Sequence, residues 1–196
     1  MISNDNYEYI GFWKRVLAVL IDAIIGFALM PITIPLMHFG FAHKTIVPVA
    51  TYSIAWTVLW MWFIVKFGAT PGKLAIKARI INSKGEYLYW DKAFLRMLFP
   101  GIIISINSHL QQWHAMNTAP AEVSMNSFLE IGQAMNQYGQ PFSMLRTVLG
   151  LIVYIDVLVV LSNKKKRAIH DFIAGSCVVT KDSLKRVGGH VLNNKY

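Results

Sequence analysis

Four apolar runs, each near the length that crosses a bilayer, constrain this chain more than any other feature. They cover residues 12–37, 46–65, 93–110 and 142–161. A helix needs about 20 mostly apolar residues to span a hydrocarbon core of about 30 Å. Within that core only helices and closed barrels satisfy every backbone N–H and C=O. The first run has Asp22 as its only acidic residue, and the second has no charge. The third carries Arg96 near its start and Pro100-Gly101 soon after, where a kink is expected; the fourth carries Asp156. The third and fourth runs are less apolar and need their flanks to reach full length. Composition agrees, since 15% of residues are charged where a soluble domain has about a quarter. The expected fold class is therefore an all-α membrane protein, a four-transmembrane-helix bundle with a small cytoplasmic β-hairpin element. Its domain is expected over residues 11–181, with an extracytoplasmic loop at 107–142 and a cytoplasmic tail at 182–196.

Lys14-Arg15 resembles the basic start of a signal peptide. The apolar run that follows is too long for one and lacks a small-x-small cleavage site, so it reads as a retained helix.

The net charge is +9, and its distribution sets an orientation. Lys14 and Arg15 precede the first run. Lys66, Lys73, Lys77, Arg79, Lys84 and Lys92 lie between the second and third, and Lys164, Lys165, Lys166 and Arg167 follow the fourth. The connection between the first and second runs has only Lys44, and residues 107–140 contain no Lys or Arg. This is the positive-inside pattern, and it predicts a multi-pass protein with cytoplasmic N and C termini. The basic cluster Lys164, Lys165, Lys166 and Arg167 is expected at the membrane surface against anionic headgroups. Nucleic acid is not an expected partner, because the basic residues sit at membrane ends.

Two segments outside the runs have structure of their own. ARIINSKGEYLYW reads as two β-leaning stretches around Ser83-Lys84-Gly85, with Gly in the positive-φ position of a hairpin turn. GSCVVTK is a third such stretch, expected to pair with one arm of that hairpin. On the other side, residues 122–138 form a candidate amphipathic helix with Phe128, Ile131 and Met135 on one stripe.

Ionisable residues inside the runs are the candidate functional groups. A carboxylate at a helix centre costs about 2.5–3.5 kcal/mol on insertion scales. Asp22 follows Arg15 by seven residues, roughly 10 Å along the axis at ~1.5 Å per residue. Helical side chains lean toward the N-terminus, so Arg15 points away from Asp22, which needs another partner. Asp156 precedes Lys164 by eight residues and matches Asp22 in depth. A shared polar pocket with Arg96 as counter-ion is expected, giving Asp22, Asp156 and Arg96 as a candidate cation or proton site. Two readings stay open. The acids either bind a travelling ion or fix helix packing through hydrogen bonds.

Other motifs point away from catalysis. His170-Asp171 has no accompanying nucleophile and reads as an interfacial anchor. GATPGKLAIK fails as a phosphate loop, since three residues rather than four separate Gly68 from Gly72 and Leu74 stands where Ser or Thr is required. It reads instead as a turn into a basic interfacial segment. The lone Cys177 allows no intrachain disulfide. His109 and His114 have no third ligand nearby, so no metal or cofactor is expected, nor is an enzyme. No internal repeat suggests an inverted-repeat transporter, so a transport role is expected to require a homo-oligomer or a membrane protein partner.

Taken together, GFWKRVLAVLID, TPGKLAIKARIINSKGE, Arg96 and IDVLVVLSNKKKRAIHD resemble the RDD family of small membrane proteins. That family is named for one Arg and two Asp. The resemblance assigns these to Arg15, Asp22 and, in RAIHDFIAG, Asp171, and covers the chain from Gly11 to about Lys181. The long connection between the third and fourth runs matches no family motif. The resemblance implies an integral, mostly bacterial, inner-membrane protein, with some members similar to sodium/proton antiporters. With Asp171 returning to the level of Arg15, an interfacial ion pair between the two is expected.

Overall fold

The computed structural model describes residues 7–120, 127–140 and 142–188. These divide into two compact units. One comprises Met1–Ile25, Leu59–Pro100 and Tyr154–Tyr196, and the other Gly26–Val58 and Gly101–Val153.

The helices are α1 (Phe12–Ala28), α2 (Met30–Ala42), α3 (Val47–Phe67), α4 (Pro71–Ala75), α5 (Trp90–Met97), α6 (Ile104–Thr118), α7 (Phe128–Tyr138), α8 (Phe142–Ser162), α9 (Ile169–Ile173) and α10 (Lys181–Gly188). Among the described residues, two stretches are long and apolar enough to cross a membrane, Val47–Ala75 and Met144–Ser162. The number rises to four if α1 with α2, and α5 with the helix that follows it, each count as one broken span. The break after α1 has a chemical cause. Pro31 has no N–H to donate to the carbonyl four residues earlier, and Leu29 N instead bonds Gly26 O at 3.1 Å. Around Pro100-Gly101, where a kink is expected, the helix takes a π-helical stretch, Leu98–Ile103. Polar residues 107–118, which read as part of an outer loop, continue α6 to Thr118.

In the first unit the strands β1 (Ala78–Asn82) and β2 (Ser176–Thr180) pair antiparallel, with Ile80 opposite Val178. Alternation places Ala78, Ile80 and Val178 on one face, buried with Ile10, Ile64, Leu88, Ala93 and Ala174. Ile81 and Val179 pack on the other face with Leu184 of α10. Both faces are thus covered, which suits the β-branched, apolar run of each strand.

GSCVVTK pairs with the first arm of the expected hairpin. The turn itself forms, with Gly85 at φ 82°. The second arm, 86–89, is not a strand. Asn82 explains this, because its side-chain oxygen accepts the N–H groups of Lys84 at 2.8 Å and Glu86 at 3.1 Å, holding a local loop where a ladder would begin. The other edge of β2 is instead bonded by residues near the N-terminus, with Ile10 N donating to Val178 O and Thr180 N to Glu8 O, each at 2.9 Å.

In the second unit, Ala115 of α6 packs with Ile131, Ala134 and Met135 of α7, joined by Ile34, Met37 and Phe41 of α2. The expected stripe on α7 holds for Ile131 and Met135, whereas Phe128 is exposed. The rest of that expected helix, 122–126, lies outside the described residues.

Large apolar side chains such as Ile24, Ile54 and Ile155 are more than half exposed, whereas Asp156, next to Ile155, is 1% exposed. The long apolar helices therefore expose apolar groups and bury the acid, the arrangement that lipid as solvent requires.

Candidate functional site

Asp171 is the centre of a buried charge cluster in the first unit. It sits in the first turn of α9, where its carboxylate reaches back to the N–H of the N-cap residue, Ala168, at 3.0 Å. That bond satisfies a helix-end donor that has no partner within the helix. Arg15 of α1 donates from Nη1 to Oδ2 at 2.7 Å. Arg96 of α5 donates from Nη1 to Oδ1 and to Ser176 Oγ, and Ser176 Oγ donates to the same carboxylate oxygen at 3.2 Å. All three charged residues are buried: Asp171 is 0%, Arg96 3% and Arg15 7% exposed.

Both arginines are anchored beyond this carboxylate. Arg15 also donates to Ile10 O at 3.3 Å and to Lys166 O at 2.6 Å. Lys166 has left-handed backbone, φ 49°, a strained conformation for a residue other than Gly. Arg96 Nη2 is buried without a partner among the described residues. Burial opposes the Asp171 anion, but the guanidiniums of Arg96 and Arg15 overcome that and hold its carboxyl well below the ordinary range.

A second carboxylate, Asp156 of α8, receives two donors from His170. The His170 backbone N–H donates to Oδ1 at 2.9 Å and the ring Nδ1–H to Oδ2 at 2.6 Å. His170 Nε2 lies 3.8 Å from Asp171 Oδ1, so the imidazole stands between the two acids. Burial, followed by the charge of Arg96, lowers the affinity of His170 for a proton below the usual imidazole value, outweighing the attraction of both acids.

Asp22 has other partners. Thr70 Oγ1 donates to its Oδ2 and the Gly72 N–H to its Oδ1, each at 2.6 Å. Thr70 is the N-cap of α4 and Pro71 its first residue, a local signature of a helix start. Asp22 thereby satisfies a free N–H at the beginning of α4 from a different helix. The contact requires Gly72, because a Cβ there would collide with the Ala18 carbonyl and lie 2.8 Å from Asp22 Cγ.

The structure brings Arg15 and Asp171 together. It places Arg96 on Asp171 rather than on Asp22 or Asp156, and it gives Asp22 and Asp156 separate partners instead of one pocket. Equal depth along two helices does not fix rotation about their axes, so it left open where each acid points. Lys164 and Lys165 are exposed. Arg167, expected at the membrane surface, folds back: its Nε donates to Ser176 O at 2.8 Å, and its guanidinium lies over the Phe172 ring at 4.5 Å.

His170, Ser176, Thr70 and Gly72 complete these sites and were not foreseen as members. The Thr-Pro-Gly sequence after α3 carried an N-cap signal that could have identified two of them. Among the described residues no group of three or more His, Cys, Asp or Glu is placed to hold a metal.

No curated protein and no solved structure matches the chain. A model of the RDD family matches residues 9–175, a range that contains the Arg15–Asp171–Arg96 cluster, Asp22 and the Asp156–His170 pair. With its long apolar helices and this buried acidic and basic network, the chain is a membrane protein and belongs to the RDD family.

Proposed function

We propose that this RDD protein moves a small cation or a proton across a bacterial cytoplasmic membrane, with Asp156 and His170 as the proton-holding pair and Asp22 as a second acidic position. The observation that carries this reading is the contact of a buried carboxylate on an apolar helix with a titratable imidazole, at 2.6 Å. Ionisable groups within membrane helices are commonly parts of ion or proton routes. Asp22 fits an accompanying role because both of its hydrogen-bond donors are neutral, with the partly buried Lys73 ammonium as the cation its charge already attracts. Asp171, held by two arginines, positions the other groups and does not exchange protons.

The charge asymmetry along the sequence supports four passes with both termini cytoplasmic. Exposed Lys164 and Lys165 at the end of α8 support contact with anionic headgroups. Four helices leave little room for a pathway, which favours a homo-oligomer or a second membrane protein as partner.

A second reading, a non-transporting scaffold or accessory subunit, has its own supporting observation. Both oxygens of Asp171 are taken by donors from α1, α5, Ala168 and β2, an arrangement suited to specifying assembly. Flux of Na⁺, K⁺ and H⁺ into proteoliposomes separates the two. Transport by the wild type, lost in folded Asp156→Asn and Asp22→Asn proteins, is the result expected. Absence of flux under every one of these gradients ends the transport reading.

A further inference from the structure

The second unit contains a half-open cavity of about 310 Å³ between α2, α3 and α6. Its α6 wall consists of Ser105, Ser108, His109 and Gln112, at the i, i+3, i+4, i+7 spacing of a single helix face. In a membrane helix an apolar stripe would be the cheaper choice there. Tyr52 and Ser53 of α3 face the same space.

Some of these groups bond in series. Ser53 Oγ lies 3.2 Å from Ser105 Oγ, Ser105 Oγ 3.5 Å from His109 Nε2, and His109 Nδ1 3.4 Å from Gln112 Oε1. The hydroxyls of Tyr52 and Ser108 have no partner among the described residues. Leu36 and Val49 give the cavity an apolar side, and among the described residues no Lys, Arg, Asp or Glu lines it.

Size and chemistry limit the occupant. Small-molecule sites begin near 300 Å³, and at about 30 Å³ per water this space holds roughly ten waters. A purely apolar occupant would leave the hydroxyls unpaired, at a cost of about 1–3 kcal/mol each. An ionised one would be partly desolvated with no counter-charge among the described lining side chains.

We propose that this cavity binds an uncharged, hydroxyl-bearing small molecule of roughly ten non-hydrogen atoms, a polyol in chemical class. All the residues involved belong to the second unit. The proposal therefore stands apart from the transport reading, which rests on the first.

The test is calorimetric titration of the full-length chain in lipid nanodiscs with glycerol, erythritol and myo-inositol, and with myo-inositol phosphate as the anionic counterpart. The expected result is saturable binding of at least one uncharged polyol. Loss of a hydrogen-bonding group in Ser108→Val or His109→Leu should weaken it about tenfold, and the phosphate should bind at least about tenfold more weakly than inositol. Melting followed by circular dichroism establishes that each variant is folded. Tyr52→Phe removes a single oxygen and serves as the deciding variant if the other two unfold. Absence of saturable binding by all three polyols overturns the proposal. So does binding unaffected by every folded variant, or phosphate binding as tight as that of inositol.

Discussion

Replacing Asp171 by Asn should be the most damaging small change in the first unit. Asn retains one carbonyl oxygen, so two of the four donors can still be met. It removes the carboxylate that pairs with two guanidiniums whose side chains are 8% and 4% exposed. Breaking a buried ion pair by removing one partner costs about 3–5 kcal/mol, because the remaining charge is left uncompensated. For a chain of this size that lowers the melting temperature by about 6–20 °C. The same reasoning fixes a second result. If the penalty comes from uncompensated charge, removing one arginine as well should return part of it. Asp171→Asn combined with Arg96→Met should therefore melt above Asp171→Asn alone, by roughly half of the original loss. Thermal unfolding of the detergent-solubilised protein, read by intrinsic fluorescence and checked for monodispersity by size-exclusion chromatography, measures all four members of the cycle. An Asp171→Asn protein melting within about 2 °C of the wild type would refute the argument, as would a double variant less stable than both singles.

Gly72→Ala should destabilise the protein by about 1–3 kcal/mol, the usual cost of overpacking, because the new methyl group meets the Ala18 carbonyl; the melting temperature measures it. The folded protein binds a proton at His170 less readily than an unfolded chain does, so stability contributed by this group is present above pH ~6.5 and lost as pH falls below it. Burial sets this balance first, then Arg96 in the same direction, against the attraction of Asp156 and Asp171. His170→Asn should accordingly show a smaller drop in melting temperature between pH 7.5 and pH 5.5 than the wild type. Burial, with Asp171 nearby, pushes the Cys177 thiol up to about 11. Alkylation by a maleimide at neutral pH should be much slower than for a free thiol, and should reach the free rate on denaturation.

The sequence by itself determined the membrane character, the apolar segments and the residues that had to be accommodated within them. Uninterrupted apolar length leaves the backbone few alternatives in lipid, which is why the runs around α3 and α8 were legible. The break at Leu29 was legible in principle too, since Pro31 marks it, yet composition across residues 12–37 concealed it. The β-leaning stretches were readable from their residue types. Their pairing was readable only in part, because Asn82 holds residues 84–86 in a local loop while residues 8–10, remote in sequence, bond the free edge of β2. What only the tertiary structure decided is which charge meets which. A helix sequence gives the depth of Asp22, Asp156 or Arg96 to within a turn, but not the direction each faces once neighbouring helices are packed. An ion pair is a matter of a few ångströms, and that distance is set by packing between segments as far apart in the chain as Arg15 and Asp171.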